Sequence, residues 1–239
     1  MASFARAFGV SPGRYRRRHA GADRSPRRRS VPVPARAATY TCVMRIAILT
    51  FDGFNEIDSF VAAKMLNWVP GWKAEITAPS ATVTSASGVR VERQQPLGFA
   101  READAVIVGS GANTRTIAGD AAIMGELRLD PARQLVASQC SGALVLARLG
   151  HLRDVPACTD QRTRPWVVEA GVRVLDQPFH AAGNVATAGG CLASHYLATW
   201  IIARGEGRAA AAEILSYVAP VGELAEWTAR AFAAIDPYL

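Results

Sequence analysis

Gln134-Leu-Val-Ala-Ser-Gln-Cys140-Ser-Gly-Ala-Leu-Val-Leu-Ala-Arg-Leu149 is the stretch whose reading decides the fold. Gln134 to Ser138 is a short apolar run of the kind that fills a buried parallel strand. Ala143 to Leu149 reads as a helix. Between them lies no loop, only Gln139-Cys140-Ser141-Gly142, so the thiol stands where a strand turns directly into a helix. Such an elbow needs a small residue where backbones crowd, and Gly142 supplies it. The unpaired N–H groups and dipole of a helix start favour thiolate over thiol, which marks Cys140 as a candidate nucleophile. The competing reading is an inert buried cysteine.

Working outward, Met44-Arg-Ile-Ala-Ile-Leu-Thr50 and Ala105-Val-Ile-Val108 are further buried strands, the second running into Gly109-Ser110-Gly111. Asn55 is placed to cap a helix whose apolar positions Ile57, Phe60, Val61, Met65 and Leu66 follow helical spacing. Trp72 to Thr77 alternates as a strand, and Thr82 to Arg93 reads as a hairpin turning at Ser87-Gly88. Val172 to Leu175 and Asn184 to Thr187 are expected as later strands. Gly189-Gly190 should open a helix through Arg204, and Arg208 to Val218 should form another. Strands alternating with helices predict a single-domain α/β sandwich with a parallel sheet covered on both faces.

Charge divides the chain. Of 239 residues, 27 are Lys or Arg and 20 are Asp or Glu, a formal net charge of +7. Residues 1–43 hold ten Arg and one acid, Asp23, leaving 17 basic against 19 acidic residues in the remainder. The Arg-, Ser- and Pro-rich segment Arg24 to Pro34 has too little apolar surface to offset ordering entropy. Residues 1–43 are therefore expected to be a disordered basic leader, with Met44 as an alternative start, and 44–239 the folded domain. Specific nucleic-acid binding and membrane spanning are not expected. Cys42, Cys140, Cys158 and Cys191 show no CxxC pairing, and His19, His151, His180 and His195 stand singly. Reduced thiols in a cytoplasmic setting, with no metal and no cofactor, are the expectation. Trp68, Trp72, Trp166, Trp200 and Trp227 lack an interleaved basic stripe, so they read as core or dimer contacts.

Phe51-Asp-Gly-Phe-Asn-Glu-Ile-Asp58, Gly109-Ser-Gly111, Ser138-Gln-Cys-Ser-Gly-Ala-Leu-Val-Leu-Ala147 and Asn184-Val-Ala-Thr-Ala-Gly-Gly190 occur in an order that resembles the ThiJ/PfpI family. The resemblance extends from Met44 to about Glu223, and Tyr217-Val-Ala-Pro220 resembles a late segment of its isonitrile hydratases. It implies a flavodoxin-like, class I glutamine amidotransferase-like fold. It also implies Cys140 as nucleophile and Asp58 as the carboxyl leaning toward the sulfur. Ser141 stands where isonitrile hydratases have a catalytic threonine, and Gly109, Ser110 and Gly111 match the oxyanion-holding backbone. One departure is plain: Ala157-Cys158-Thr159-Asp160 puts Asp160 where many members have histidine. A Cys–His couple is thereby lost. Separately, residues 4–18 resemble a fragment of an AraC-type helix-turn-helix without the rest of that domain.

The expected function is a cysteine-dependent hydratase or hydrolase of a small molecule, closest to isonitrile hydratase and working as a homodimer. Two alternatives stay open: a ligand- or redox-sensing protein without turnover, and a glyoxalase or deglycase acting on reactive aldehydes. Cys158 is a candidate resolving thiol and Arg115 a candidate anion holder. For both, as for His195 and Cys191, a packing or surface role is the competing expectation.

Overall fold

In the computed structural model, residues 44–239 are described. The expectations for the leader and its helix-turn-helix-like fragment lie outside the described residues. In chain order the elements are β1 (Met44–Leu49), α1 (Glu56–Leu66), β2 (Trp72–Ala78), β3 (Thr82–Thr84), β4 (Arg90–Glu92), β5 (Gln95–Pro96), β6 (Ala105–Val108), α2 (Thr114–Ile117), α3 (Ala121–Glu126), β7 (Leu135–Gln139), α4 (Gly142–Arg148), α5 (Arg164–Glu169), β8 (Phe179–Ala182), β9 (Val185–Ala188), α6 (Ser194–Val218) and α7 (Leu224–Ile235).

The main sheet has seven strands in the order β5-β2-β1-β6-β7-β9-β8. Every neighbouring pair is parallel except β8 and β9. Strand pleating sends alternate side chains to opposite faces. Ile46 and Ile48 of β1 and Ile107 of β6 enter one apolar core, with Leu197, Trp200 and Ile201 of α6. Ala47, Leu49, Val106 and Val108 enter the other, with Leu144 and Leu146 of α4. Full burial of one such Leu or Ile side chain contributes roughly 1.5–3 kcal/mol. This is the expected α/β sandwich, covered on both faces. The parallel order puts the carboxyl ends of β1, β6, β7 and β9 along one edge, where open α/β sheets place their sites.

The structure departs from the sequence reading in two places. Val172 to Leu175 forms no strand; Val174 makes only an isolated bridge with Ala157. The strand beside β9 is instead β8, whose half-exposed His180 and preceding Pro178 hide it in the sequence. The two helices expected after Gly190 are both present as the two halves of α6, which divides at Gly207, where φ is 87° and ψ is 168°. The small hairpin β3–β4 forms as expected, pairing Thr82 with Glu92.

Candidate active site

β7 delivers the chain to Cys140 and α4 takes it away. Cys140 has φ 46°, one of two positive-φ non-glycine residues among those described, the other being Asp154. That left-handed conformation is a local strain, held by the surrounding bonds. Cys140 N donates to Ala188 O at 2.8 Å. Its carbonyl accepts from Thr159 Oγ1 at 2.8 Å. Gln139 Nε2 donates to Gly190 O at 2.8 Å and lies 3.5 Å from the Cys140 sulfur. A Cβ on Gly142 would stand 2.3 Å from Val108 O, so β6 and the elbow approach closely only because residue 142 is glycine.

Asp58 comes from the first turn of α1, whose N-cap is Asn55, with Oδ1 accepting from Ile57 N at 3.1 Å. The carboxyl is buried at 1% exposure. Ser110 Oγ donates to Asp58 Oδ2 in a short hydrogen bond, while Oδ1 has no hydrogen-bond partner. Asp58, Cys140 and Cys191 bring one carboxylate oxygen and two sulfurs within 4.8 Å of one another. These are close enough to share a cation, but the group has three members, not the four that a structural zinc takes.

Burial raises the Asp58 pKa to about 6; the Ser110 hydrogen bond and the Cys140 and Cys191 thiols pull it partly back, and the Asp160 charge pushes upward. Burial likewise pushes the Cys140 thiol up, reinforced by the negative charge at Asp58 and then at Cys191 and Asp160. The expected acidification by the helix start is thus outweighed. α4 has only seven residues, and the elbow sulfur sits at 3% exposure beside a carboxyl. At neutral pH the pair rests as thiol and carboxylate.

Ser141 is buried, and its Oγ accepts from Gly111 N at 3.1 Å and lies 2.8 Å from Thr114 Oγ1. Gly109 N donates to Leu49 O at 3.0 Å. The Gly109 and Gly111 amides, expected to hold an oxyanion, thus both donate to protein acceptors in this structure. Ser110 acts through its hydroxyl, on Asp58. The N–H groups of Ser141, the N-cap, and Gly142, the first residue of α4, have no acceptor within that helix.

Asp160, at the position the resemblance gives to histidine, lies close enough for its charge to act on Asp58 and Cys140. Its carboxylate accepts from Arg162 N at 2.9 Å, Thr163 N at 3.0 Å and Thr163 Oγ1 at 2.6 Å, which holds the turn before α5. Arg115 pairs with Glu169 at 3.2 Å and lines a 350 Å³ pocket with Trp166 that includes none of Asp58, Cys140 or Ser141. Cys158 is fully buried, its thiol pushed up to about 12 by burial. Trp72 and Trp200 belong to the core, whereas Trp68 is exposed and stacks on Tyr217 at 4.7 Å.

The structure adds residues to the site. Asn55 Nδ2 donates to the Cys191 sulfur at 3.0 Å, so the α1 cap also fixes this thiol. Cys191 lines a pocket of about 390 Å³ with His195, Tyr196, Trp227 and Arg230. His195 is buried, its ring 4.8 Å from that of Trp227, and burial lowers its pKa. β7 and β9 pair in register, Gln139 with Ala188, so the residues following both strands meet at one edge.

No curated protein matches the chain in sequence. Among solved structures, a ThiJ/PfpI family protein from Pseudomonas syringae is 21% identical, with TM-score 0.69, covering 87% of this chain and 98% of that one. A DJ-1 superfamily protein from Salmonella typhimurium, solved as a cysteine-to-alanine mutant, is 23% identical, with TM-score 0.65, covering 73% and 97%. Drosophila melanogaster DJ-1beta is 19% identical, with TM-score 0.64, covering 73% and 97%. These likenesses agree on the fold. The DJ-1/PfpI family model matches residues 44–204, and the chain belongs to the DJ-1/PfpI family.

Proposed function

We propose that this protein is a cysteine-dependent hydratase or hydrolase of a small molecule, with an isonitrile as the substrate class that suits its site best. One observation carries the reading: the buried Asp58 carboxyl, with a pKa raised to about 6, shares a 4.8 Å cluster with Cys140. A carboxyl near that value both gives and takes protons at neutral pH. In the covalent route Asp58 takes the Cys140 proton as sulfur adds to the terminal isonitrile carbon, and then returns it to that carbon. Water attacks the resulting thioimidate, the carbon–sulfur bond breaks, and the N-substituted formamide leaves. In the direct route Asp58 activates water and Cys140 orients it. The Ser141 and Gly142 helix-start amides are the groups placed to hold developing charge. The absence of a histidine partner at position 160 favours this chemistry over amide cleavage.

The site also supports a second reading, a ligand or redox sensor without turnover, favoured by the deep burial of Cys140 and its raised thiol pKa. The exposed Trp68–Tyr217 ring contact supports assembly with a second copy. Among the described residues no helix is long and apolar enough to cross a membrane. The deciding experiment follows formamide production from a panel of alkyl and aryl isonitriles. Turnover that disappears in Cys140→Ser supports the hydratase. Saturable binding with no product favours the sensor.

A further inference from the structure

Two of the three cysteine thiols among the described residues converge at the sheet edge. The Cys140 and Cys191 sulfurs lie within 4.8 Å of each other, whereas Cys158 is outside that group and wholly buried. The two thiols differ in access. Cys191 is half-buried and lines the pocket bounded by His195, Tyr196 and Trp227, while Cys140 lies deeper, at 3% exposure. Asn55 Nδ2, donating to the Cys191 sulfur at 3.0 Å, holds that sulfur toward the elbow.

We propose that Cys191 and Cys140 form a reversible disulfide, with Cys191 the thiol that meets a hydroperoxide first. The Cys191 thiolate attacks the terminal peroxide oxygen; the O–O bond breaks, and the alcohol, or water from hydrogen peroxide, leaves after taking a proton. Cys191 is then a sulfenic acid, oxidised by two electrons. The Cys140 sulfur attacks it, the S–O bond breaks and water departs, taking up the thiol proton by way of Asp58. Overall, two thiols and one hydroperoxide give a disulfide, one alcohol and one water. A dithiol reductant reverses the change by thiol–disulfide exchange.

A disulfide requires sulfurs about 2.03–2.05 Å apart, so the gap must close. The elbow is held by Ala188 O and Thr159 Oγ1, but Cys191 heads a three-residue 3₁₀ turn, Cys191–Ala193, just after Gly190 at φ 89°. The adjustment therefore falls on the Cys191 side. Oxidation removes both thiols from the Asp58 cluster, and it shields the Cys140 sulfur from the irreversible sulfinic and sulfonic states. This inference concerns the thiols alone and stands apart from the hydration chemistry.

The test treats the full chain with hydrogen peroxide, blocks free thiols, digests it without reductant and reads the peptides by mass spectrometry. The Cys140 and Cys191 peptides should appear joined, two hydrogens lighter than their sum. They should separate on treatment with dithiothreitol and stay joined in Cys158→Ser. The link should be missing in Cys191→Ser, and in Cys140→Ser dimedone should trap Cys191 as its sulfenic acid. Circular dichroism checks that each variant is folded. Cys140 converted to sulfinic acid while Cys191 remains free overturns the proposal. So does Cys191 joined to another cysteine, or both thiols left free after prolonged exposure.

Discussion

The Ser110 hydroxyl donates to one oxygen of the buried Asp58 carboxyl and leaves the other without a partner. Burial disfavours the charged carboxylate and the Ser110 hydrogen bond favours it. Burial is the larger effect, so the Asp58 pKa is raised to about 6, close enough to neutrality for proton exchange.

Ser110→Ala removes the largest influence that lowers the Asp58 pKa. If Asp58 works as the base, activity rises as pH climbs through its pKa, so the acid limb of the pH–rate profile should lie near pH 6 in the native protein. In Ser110→Ala that limb should move to higher pH, while the rate well above it changes far less. An unmoved limb would assign the titration to another group.

Asp58→Asn should lower turnover by about 10²–10⁴-fold, the usual worth of general acid–base catalysis. Cys140→Ser should be at least as damaging under the covalent route. Steady-state rates on the best isonitrile, with circular dichroism as the folding control, check both.

The same carboxyl makes stability depend on pH. Its folded pKa, about 6, exceeds the ordinary aspartate value of 3.8, so the native state holds the proton more tightly. The resulting stabilisation is complete below pH 3.8 and is lost as pH rises through about 6. A shift of this size corresponds to on the order of 3 kcal/mol. Asp58→Asn should therefore melt several degrees higher than the native protein at pH 8, and the difference should shrink toward pH 4. Thermal scans across that range provide the check.

Gly142→Ala tests the elbow without touching a reacting atom. Its methyl would press on Val108 O at 2.3 Å, a backbone atom in the centre of the sheet. The expected cost is about 1–3 kcal/mol, typical of overpacking. It would appear as a lowered denaturation midpoint together with lost activity.

Asp160→Asn should reduce turnover far less than Asp58→Asn, because Asp160 organises a turn. Asp160→His removes the acceptor for Arg162 N, Thr163 N and Thr163 Oγ1. The expected result is a loss of about 0.5–2 kcal/mol, as for other lost caps, and no ester hydrolysis. Chemical denaturation and an activated-ester assay read the two outcomes.

Much of this was legible in the sequence because local signals agreed. Runs such as Ala105–Val108 and the strand-into-helix junction at Cys140 each point to a parallel sheet with an elbow. Asn55 and Cys140 were visible for the same reason: caps and elbows leave short-range marks. Asp58 entered through the family resemblance. The remainder depends on contacts between distant segments. Cys191 meets Cys140 through the β7–β9 register, and Ser110 donates its hydroxyl to Asp58. The amides of Gly109 and Gly111 are taken by Leu49 O and Ser141 Oγ, which no local pattern announces. Val172 to Leu175 has the spacing of a strand, yet the neighbouring place in the sheet is filled by Phe179–Ala182.

The three bonds accepted by Asp160 also bear on what position 160 can tolerate. A residue that is the keystone of its own turn is not freely exchanged. Imidazole has one acceptor nitrogen in its neutral form and none when charged, so it cannot serve the donors that Asp160 now satisfies. Recovering a histidine at 160 would require Thr163 and the start of α5 to change with it. Position 160 is thus a lock between two segments: exchanging its carboxylate for imidazole leaves donors of the turn unserved, so residue 160 and the start of α5 can change only together.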